Sequence, residues 1–261
     1  MTHHYKYTTD VHPIYARKQF EQLDEKEKQY TYYFSKASVE GEKICLFEVS
    51  HEAPAIFALI HLTFLGQDME ELKKRYAGKE VTYQRLIAYC GSFMAQLGNY
   101  RSFASTKFVP EATSEEFYEL IKSSPSYHQY GELIEELWAA VKGPIYDLSP
   151  EVLKIGQWPK GVTGYYSNNL TAEELDLADE LLAILNVSEL NTHVYKKHDE
   201  TIVIKVVSIN QKTTVHNFKK RRFELEYGFV GSFLRRVVEN LQKAHEYASN
   251  ITQKKMIEAY I

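Results

Sequence analysis

The spacing of hydrophobic residues changes along the chain at His193. Before residue 185, apolar side chains recur every three to four residues, the period of a helix with one buried face. From His193 onwards, β-branched residues and apolar–polar alternation predict strands, most clearly in Thr201–Ile209 and Arg222–Tyr227. The segment Phe233–Ile261 returns to the helical period. The sequence therefore predicts an α+β fold that is mainly helical and contains an antiparallel β meander.

Local signals predict where several of these helices begin and end. A capping box, in which an Asp or Thr is followed three residues later by Glu, satisfies the free backbone groups of a first turn. Such boxes predict helix starts after Asp24, Thr113 and Thr171. Pro54 is expected to open a strongly apolar helix. Helix ends are predicted at Gly41, Gly66, Gly98 and Gly143–Pro144.

Composition excludes several classes of protein. Hydrophobic residues make up 44% of the 261 residues and charged residues 25%, which is typical of a globular protein and not of a disordered one. The net charge of −4 disfavours nucleic acid or an anionic membrane as the main partner. The two cysteines, Cys45 and Cys90, are too few for a disulfide scaffold or a cysteine-based zinc site. Without a signal peptide or a membrane-spanning stretch, we expect a cytoplasmic protein.

No catalytic motif stands out among the residues. The ten histidines are scattered, and neither His51-Glu52 nor His245-Glu246 has the second His of a zinc-binding helix. The basic run Lys219–Arg222 is interpreted as solvated charge that protects an edge strand, with RNA contact or nuclear import as the alternative. The Gly- and Asn-rich segment Gln157–Asn169 is either a functional loop or a surface connection anchored by its Trp.

Four stretches resemble one protein family. The most specific is Gly98–Pro110, which reads GNYRSFASTKFVP where the family has G-N-Y-K/R-S-F-G-D-T-K-F-V-P. The second is Glu52-Ala53-Pro54 with Gln67-Asp68, and the third is Gly161–Ser167, similar to the family's G-I/V-T-x-Y-F/Y-S loop. The fourth is Val237–Ile261. On these motifs the chain is identified as a member of the dipeptidyl-peptidase III family of cytosolic zinc exopeptidases.

The resemblance implies a fold, a cofactor and an activity. Family members are two-lobed peptidases that release dipeptides from the N-terminus of oligopeptides. Their lower lobe has a β-barrel-like core with helices, and their helical upper lobe holds the zinc. By this resemblance, residues 1–261 are the N-terminal, lower-lobe portion of such a protein, truncated before the zinc-binding catalytic lobe. Zinc then belongs to the full-length family, and this chain binds none and is inactive alone.

The resemblance also implies a substrate site in the Gly98–Pro110 stretch. Ser102 and Phe103 match positions that line the substrate cleft, although a core aromatic is the alternative for Phe103. The matching residues expected to support the cleft loop are Asn99, Tyr100, Lys107 and Phe108. The family's Gly-Asp pair is Ala104-Ser105 here, which removes a carboxylate from the loop. No catalytic or metal-binding residue is carried over.

Two other interpretations stay open. The chain could be a short, non-catalytic relative that acts as a peptide- or partner-binding module. Alternatively, a separately encoded catalytic lobe docks at its C-terminal helix, where residues 256–261 are largely apolar and the helix has no stop signal. In each case the expected partners are an oligopeptide or another protein, and neither nucleic acid nor a membrane.

Overall fold

The computed structural model describes residues 3–4, 15–102 and 105–261. These residues divide into two units, and the chain passes between them at residues 45–46 and 164–165. Unit 1 contains residues 3–4 and Leu46–Gly164, and unit 2 contains residues 15–45 and Tyr165–Ile261. No helix in these ranges is both long and apolar enough to cross a membrane.

Helices make up most of the described chain, which confirms the predicted α+β class. In chain order they are α1 (Arg17–Glu21), α2 (Glu25–Val49), α3 (Ala53–Phe64), α4 (Met69–Arg75), α5 (Glu80–Gln96), α6 (Ser114–Lys122), α7 (Tyr127–Tyr146), α8 (Ala172–Ile184), α9 (Gly231–Glu246) and α10 (Ile251–Tyr260). All three predicted capping boxes are present, at the starts of α2, α6 and α8.

Unit 1 is held together by an aromatic and aliphatic core among α3, α5, α6 and α7. The fully buried ring of Phe117 lies near its centre. Its centroid is 5.8 Å from that of Tyr89 and 5.6 Å from that of Trp138, both in edge-to-face geometry. Aromatic pairs of this kind add to the stabilisation that burial of their surface provides.

Unit 2 contains a four-stranded sheet with the order β1-β2-β4-β3, formed by β1 (Thr192–Lys196), β2 (Ile202–Val207), β3 (Lys212–Phe218) and β4 (Arg221–Phe229). The pairs β1–β2 and β3–β4 are antiparallel, but β2 and β4 are parallel. The predicted antiparallel meander is therefore wrong, because two hairpins meet along a parallel central pair. Strand β3 was not predicted because it is an edge strand with mostly polar residues.

One face of this sheet packs against α8. Ile202 and Ile204 of β2 lie beside Phe223 and Leu225 of β4, and all four are buried in one cluster with α8. In the described residues the sheet is open, with β1 and β3 as its edges, so the expected barrel-like core is not confirmed. The assignment to a lower lobe stays a prediction. A second cluster in unit 2 joins α2, α9 and α10.

Two predicted helix ends differ from the structure, those at Gly41 and Gly98. Helix α2 continues through Gly41 to Val49, and a Cβ at Gly41 would meet Val237 of α9 at an ordinary 3.7 Å. Helix α5 ends on Leu97, which has a left-handed φ of 55°, and not on Gly98. Gly98 is required for another reason, since a Cβ there would lie 2.6 Å from Cγ1 of Val49.

Helix α7 also differs from its prediction. It begins at Tyr127, is kinked at Tyr130, and runs through Gly143 and Pro144 to Tyr146. Pro144 is tolerated because it removes one backbone donor close to the end of the helix, while the buried Val141 and Ile145 still face the core.

The last predicted helix is two helices. Helix α9 ends at Glu246, and α10 starts after Asn250, whose side chain accepts a hydrogen bond of 2.9 Å from the Gln253 backbone N–H. Asn is among the residues that best satisfy the free donors of a first turn, so a new helix begins here.

Candidate functional site

The segment with the most specific family motif forms a narrow turn, here called the motif loop (residues 98–109). Tyr100 and Lys107 face each other in an antiparallel bridge. On either side of this bridge, the Phe108 N–H donates to the Asn99 carbonyl and the Arg101 N–H donates to the Thr106 carbonyl, both at 2.9 Å. Phe103 and Ala104, which follow Ser102 in the sequence, lie outside the described residues.

A second segment, residues 153–156, continues the motif loop into a small ladder. The Lys107 N–H donates to the Leu153 carbonyl and the Ile155 N–H donates to the Ser105 carbonyl, both at 2.9 Å. On the other side of this segment, the Val162 N–H donates to the Lys154 carbonyl at 3.0 Å. Residues 161–164, which belong to another family motif, are thereby joined to the motif loop by backbone hydrogen bonds.

Residues 161–164 contact the last turn of α2 through Gly164. That turn belongs to unit 1 as well. The Gly164 N–H donates to the Glu48 carbonyl at 3.0 Å. A Cβ at Gly164 would lie 1.7 Å from the Phe47 carbonyl oxygen, so the backbones can approach this closely only because the residue is glycine. In the same loop Trp158, considered above as an anchor, is 39% exposed.

Glu52, in the stretch that heads α3, contacts the motif loop directly. The Asn99 side-chain amide donates to its carboxylate at 3.5 Å. Parts of three of the four stretches that resemble the family therefore meet within unit 1, while the fourth lies in unit 2. The Glu52–Asn99 contact was not predicted, and the only signal for it was the place of Glu52 beside Pro54 at the start of an apolar helix.

The predicted supporting residues are all buried within unit 1. Asn99 and Phe108 have no exposed surface, and Tyr100 donates its hydroxyl to the Val152 carbonyl at 2.9 Å. Ser102 is exposed near the tip, and its N–H donates to the Gln96 side chain at 2.7 Å. The structure thus brings these residues together, while their roles in a substrate cleft, including that of Phe103, stay predictions.

Lys107 is the charged member of this group. It is 1% exposed, and its ammonium donates to the Pro144 carbonyl at 2.7 Å. Burial lowers the pKa of Lys107, because the charged form is less well solvated, while the carboxylates of Glu52 and Asp147 oppose that shift. The base of the motif loop therefore contains a buried cation that two carboxylates stabilise.

The described residues do not fit the zinc site that the family resemblance implies. No group of three or more His, Cys, Asp or Glu side chains in residues 3–4, 15–102 and 105–261 is arranged to hold a metal ion. Cys90 is buried, and burial raises its pKa to about 12, so it stays a thiol near neutral pH. The described residues therefore supply no metal centre, and Cys90 is not a nucleophile near neutral pH.

The basic run Lys219–Arg222 lies at the turn between β3 and β4. The run leads into β4, which is central in the sheet. The interpretation that these charges protect an edge strand is therefore wrong. Carboxylates pair with three of the four cations: Lys219 with Glu180, Arg221 with Glu174, and Arg222 with Glu224.

Comparison with known proteins identifies the class to which this chain belongs. Residues 137–261 match peptidase family M49. Dipeptidyl peptidase 3 of Homo sapiens is 30% identical over 269 residues, covering 96% of this chain and 36% of the relative. The protein of the same name from Dictyostelium discoideum is 30% identical over 253 residues, and that from Nematostella vectensis is 28% identical over 276 residues.

The chain is thus a member of a peptidase family, and within it belongs to the dipeptidyl peptidase 3 proteins. It spans 36% of the length of the Homo sapiens and Dictyostelium relatives and 38% of that of the Nematostella relative, in each case little more than a third.

Proposed function

We propose that this chain supplies part of the substrate cleft of a zinc-dependent dipeptidyl-peptidase that releases dipeptides from the N-terminus of oligopeptides. Membership of the family supports this proposal, since the relatives are named dipeptidyl peptidases. Because the chain spans about a third of their length, the proposal concerns the activity of a whole protein and assigns this chain one part of it.

The main observation behind the proposal is that parts of three family stretches are connected in unit 1. These are the motif loop itself, Glu52 and residues 161–164. Buried side chains of Asn99, Tyr100, Lys107 and Phe108 hold the base of the motif loop, while Ser102 is exposed near its tip. A loop that is fixed at its base by a rigid scaffold and exposed at its tip is a common arrangement for binding. In the proposal, Ser102 and Phe103 line the cleft, and Phe103 forms an apolar wall of one subsite.

In this proposal the zinc ligands and the general base lie outside residues 1–261. The chain alone would then be inactive, because a cleft wall cannot replace a metal-activated water. The catalytic part would dock at the end of α10, where Met256, Tyr260 and Ile261 are exposed. We place the whole protein in the cytoplasm, as the family resemblance implies. The competing proposal is a non-catalytic module that binds a peptide or a partner by itself.

The first experiment measures dipeptide release from an arginyl-arginyl naphthylamide by the purified chain, with and without added zinc. Human dipeptidyl peptidase 3 serves as the positive control. We expect no release from the chain under either condition. Zinc-dependent release would contradict the assignment of this chain to a non-catalytic part.

A chimera tests the cleft assignment. The chain replaces the matching region of the human relative, and KM and kcat are measured for oligopeptide cleavage. We expect Phe103→Ala to raise KM by about tenfold or more, since removing an apolar subsite wall weakens substrate binding. Lys74→Ala, on the exposed surface of α4, is the control and should leave KM unchanged. An unchanged KM for Phe103→Ala would refute the cleft assignment.

Titration of a labelled oligopeptide into the isolated chain separates the two proposals. Weak or absent binding agrees with a cleft that is completed by other parts of a larger enzyme. Saturable micromolar binding that Phe103→Ala abolishes would favour the stand-alone binding module.

A further inference from the structure

A side chain of α5 holds the exposed part of the motif loop. The Arg101 N–H donates to the Thr106 carbonyl at 2.9 Å and belongs to the backbone ladder of the loop. One residue further on, the exposed Ser102 donates its N–H to the side-chain carbonyl of Gln96 at 2.7 Å. Side chains satisfy backbone groups in this way where regular pairing ends. Gln96 is the last residue of α5, so the contact joins the end of a helix to the loop.

The backbone that carries Gln96 is itself fixed. The next residue, Leu97, has a left-handed φ of 55°, and its N–H donates to the Phe93 carbonyl of the preceding turn. Phe93 is completely buried. Gly98 then lies so close to α2 that a Cβ there would be 2.6 Å from Cγ1 of Val49. Gln96 therefore extends towards Ser102 from a part of unit 1 that packing and backbone hydrogen bonds hold in place.

The returning side of the motif loop is held differently. Ser105 has a φ of 51°, a conformation that residues other than glycine rarely adopt, and its carbonyl accepts from the Ile155 N–H at 2.9 Å. The backbone of residues 153–156 thus fixes Ser105, whereas a side chain fixes Ser102. A side-chain contact can be removed by substitution without changing the path of the backbone that supports it.

We propose that Gln96 is a positioning residue for the substrate cleft. By accepting from the Ser102 N–H, it sets where Ser102 lies relative to the buried base of the motif loop, and it acts through Ser102 without contacting the substrate. Binding residues work best when supporting side chains hold them close to their productive position. The inference rests on the proposed function, since the position of Ser102 affects substrate binding only if the motif loop lines a cleft.

Two substitutions at Gln96 separate the acceptor from the size of the side chain. Gln96→Met keeps an unbranched side chain of similar length but lacks the carbonyl oxygen. Gln96→Glu keeps an oxygen that accepts hydrogen bonds at the same distance from the backbone. Gln84→Met, at an exposed position of the same helix, is the control.

Amide hydrogen exchange in the whole chain tests the contact independently of any activity. We expect the Ser102 N–H to exchange more slowly than an unstructured amide. Gln96→Met should accelerate its exchange by about three- to tenfold, the equivalent of one lost hydrogen bond, whereas Gln96→Glu and Gln84→Met should leave it protected. An unprotected Ser102 N–H in the wild type, or exchange that Gln96→Met leaves unchanged, would overturn the inference.

Kinetics of the chimera with the human relative test the consequence for substrate. Gln96→Met should raise KM by about three- to tenfold with little change in kcat, because a displaced loop binds substrate less well before and during the reaction. Gln96→Glu should leave KM near the wild-type value. A role in stability alone predicts that Gln96→Met lowers the melting temperature and leaves KM unchanged, and that result would contradict the proposal.

Comparison with Phe103→Ala distinguishes the two ways in which these experiments can fail. If Phe103→Ala raises KM and Gln96→Met does not, the positioning role of Gln96 is wrong and the cleft assignment stands. If neither substitution raises KM, the cleft assignment is wrong, and the role of Gln96 is rejected with it.

Discussion

The buried Lys107 ammonium donates a hydrogen bond of 2.7 Å to the carbonyl oxygen of Pro144. Pro144 lies in the last turn of α7, where carbonyl groups lack helical partners and carry partial negative charge. A cation at this position satisfies one such carbonyl and interacts favourably with the helix dipole. The contact therefore joins Lys107 of the motif loop to the C-terminal end of α7.

Replacing Lys107 with methionine tests this contact. Lys107→Met keeps an unbranched side chain but leaves the partly buried Pro144 carbonyl without this donor, so we expect the free energy of unfolding to fall by about 1–3 kcal/mol. Urea denaturation near neutral pH measures the change. Lys74→Met, on the exposed surface of α4, should stay within about 0.5 kcal/mol of the wild type. Equal stability of the two variants would show that the ammonium contact contributes little.

Two glycines of unit 1 should respond oppositely to alanine. Gly164→Ala would place a Cβ 1.7 Å from the Phe47 carbonyl oxygen, so the loop must shift and we expect a loss of about 1–3 kcal/mol. Gly91, inside α5, has no atom within 4 Å of its Cβ position. Gly91→Ala should therefore raise stability by about 0.5–1 kcal/mol, because alanine favours the helix. Thermal unfolding of both variants checks the prediction, which fails if Gly164→Ala is neutral.

The raised pKa of the Cys90 thiol predicts that the folded chain loses stability at alkaline pH. Burial raises the pKa of this thiol from 9.0 to about 12 in the folded chain. Between these values the unfolded state releases the proton while the folded state keeps it, so stability falls as pH rises above 9. At pH 10 this contribution is about 1.4 kcal/mol. Chemical denaturation at pH 8 and pH 10 should show a smaller fall for Cys90→Ala than for the wild type, and equal falls would refute the assignment.

The lowered pKa of the Glu174 carboxyl predicts that unit 2 loses stability at acidic pH. Burial by itself would raise the pKa of this carboxyl, but the Thr171 backbone N–H and the cations Lys196 and Arg221 outweigh burial and lower it. A carboxyl whose pKa is lowered by folding adds stability that is present above its unfolded value of 4.5 and is lost as pH falls below it.

Glu174→Gln tests that contribution at neutral pH. It would leave the mostly buried Lys196 without its main counter-charge, and we expect a loss of about 3–5 kcal/mol. The matched control is Glu180→Gln, which breaks the exposed pair with Lys219 and should cost less than about 1 kcal/mol. Unfolding monitored at pH 7 and pH 4 distinguishes them, because the deficit of Glu174→Gln should shrink at the lower pH. A deficit that persists at pH 4 would point to lost packing.

Helix starts were predicted better than helix ends. A capping box acts within four residues, so the starts of α2, α6 and α8 follow from local chemistry. A glycine favours the end of a helix, but packing can outweigh this preference. Helices α2 and α7 continue through Gly41 and Gly143 because the residues on either side bury an apolar face. The polar edge strand β3 was missed because its pattern lacks the apolar alternation on which the prediction depended.

By itself, the sequence determined the α+β class, the helix starts and the family to which the chain belongs, because periodicity, capping and motifs are read from neighbouring residues. Only the tertiary structure decided that β2 and β4 pair in parallel and that the family motifs of unit 1 meet around the motif loop. The contacts that bring them together join Asn99 to Glu52 across 47 residues and Lys107 to Pro144 across 37. Contacts between residues so far apart in the sequence depend on which surfaces can be buried together and on which buried polar groups can form hydrogen bonds. No local sequence pattern encodes these contacts.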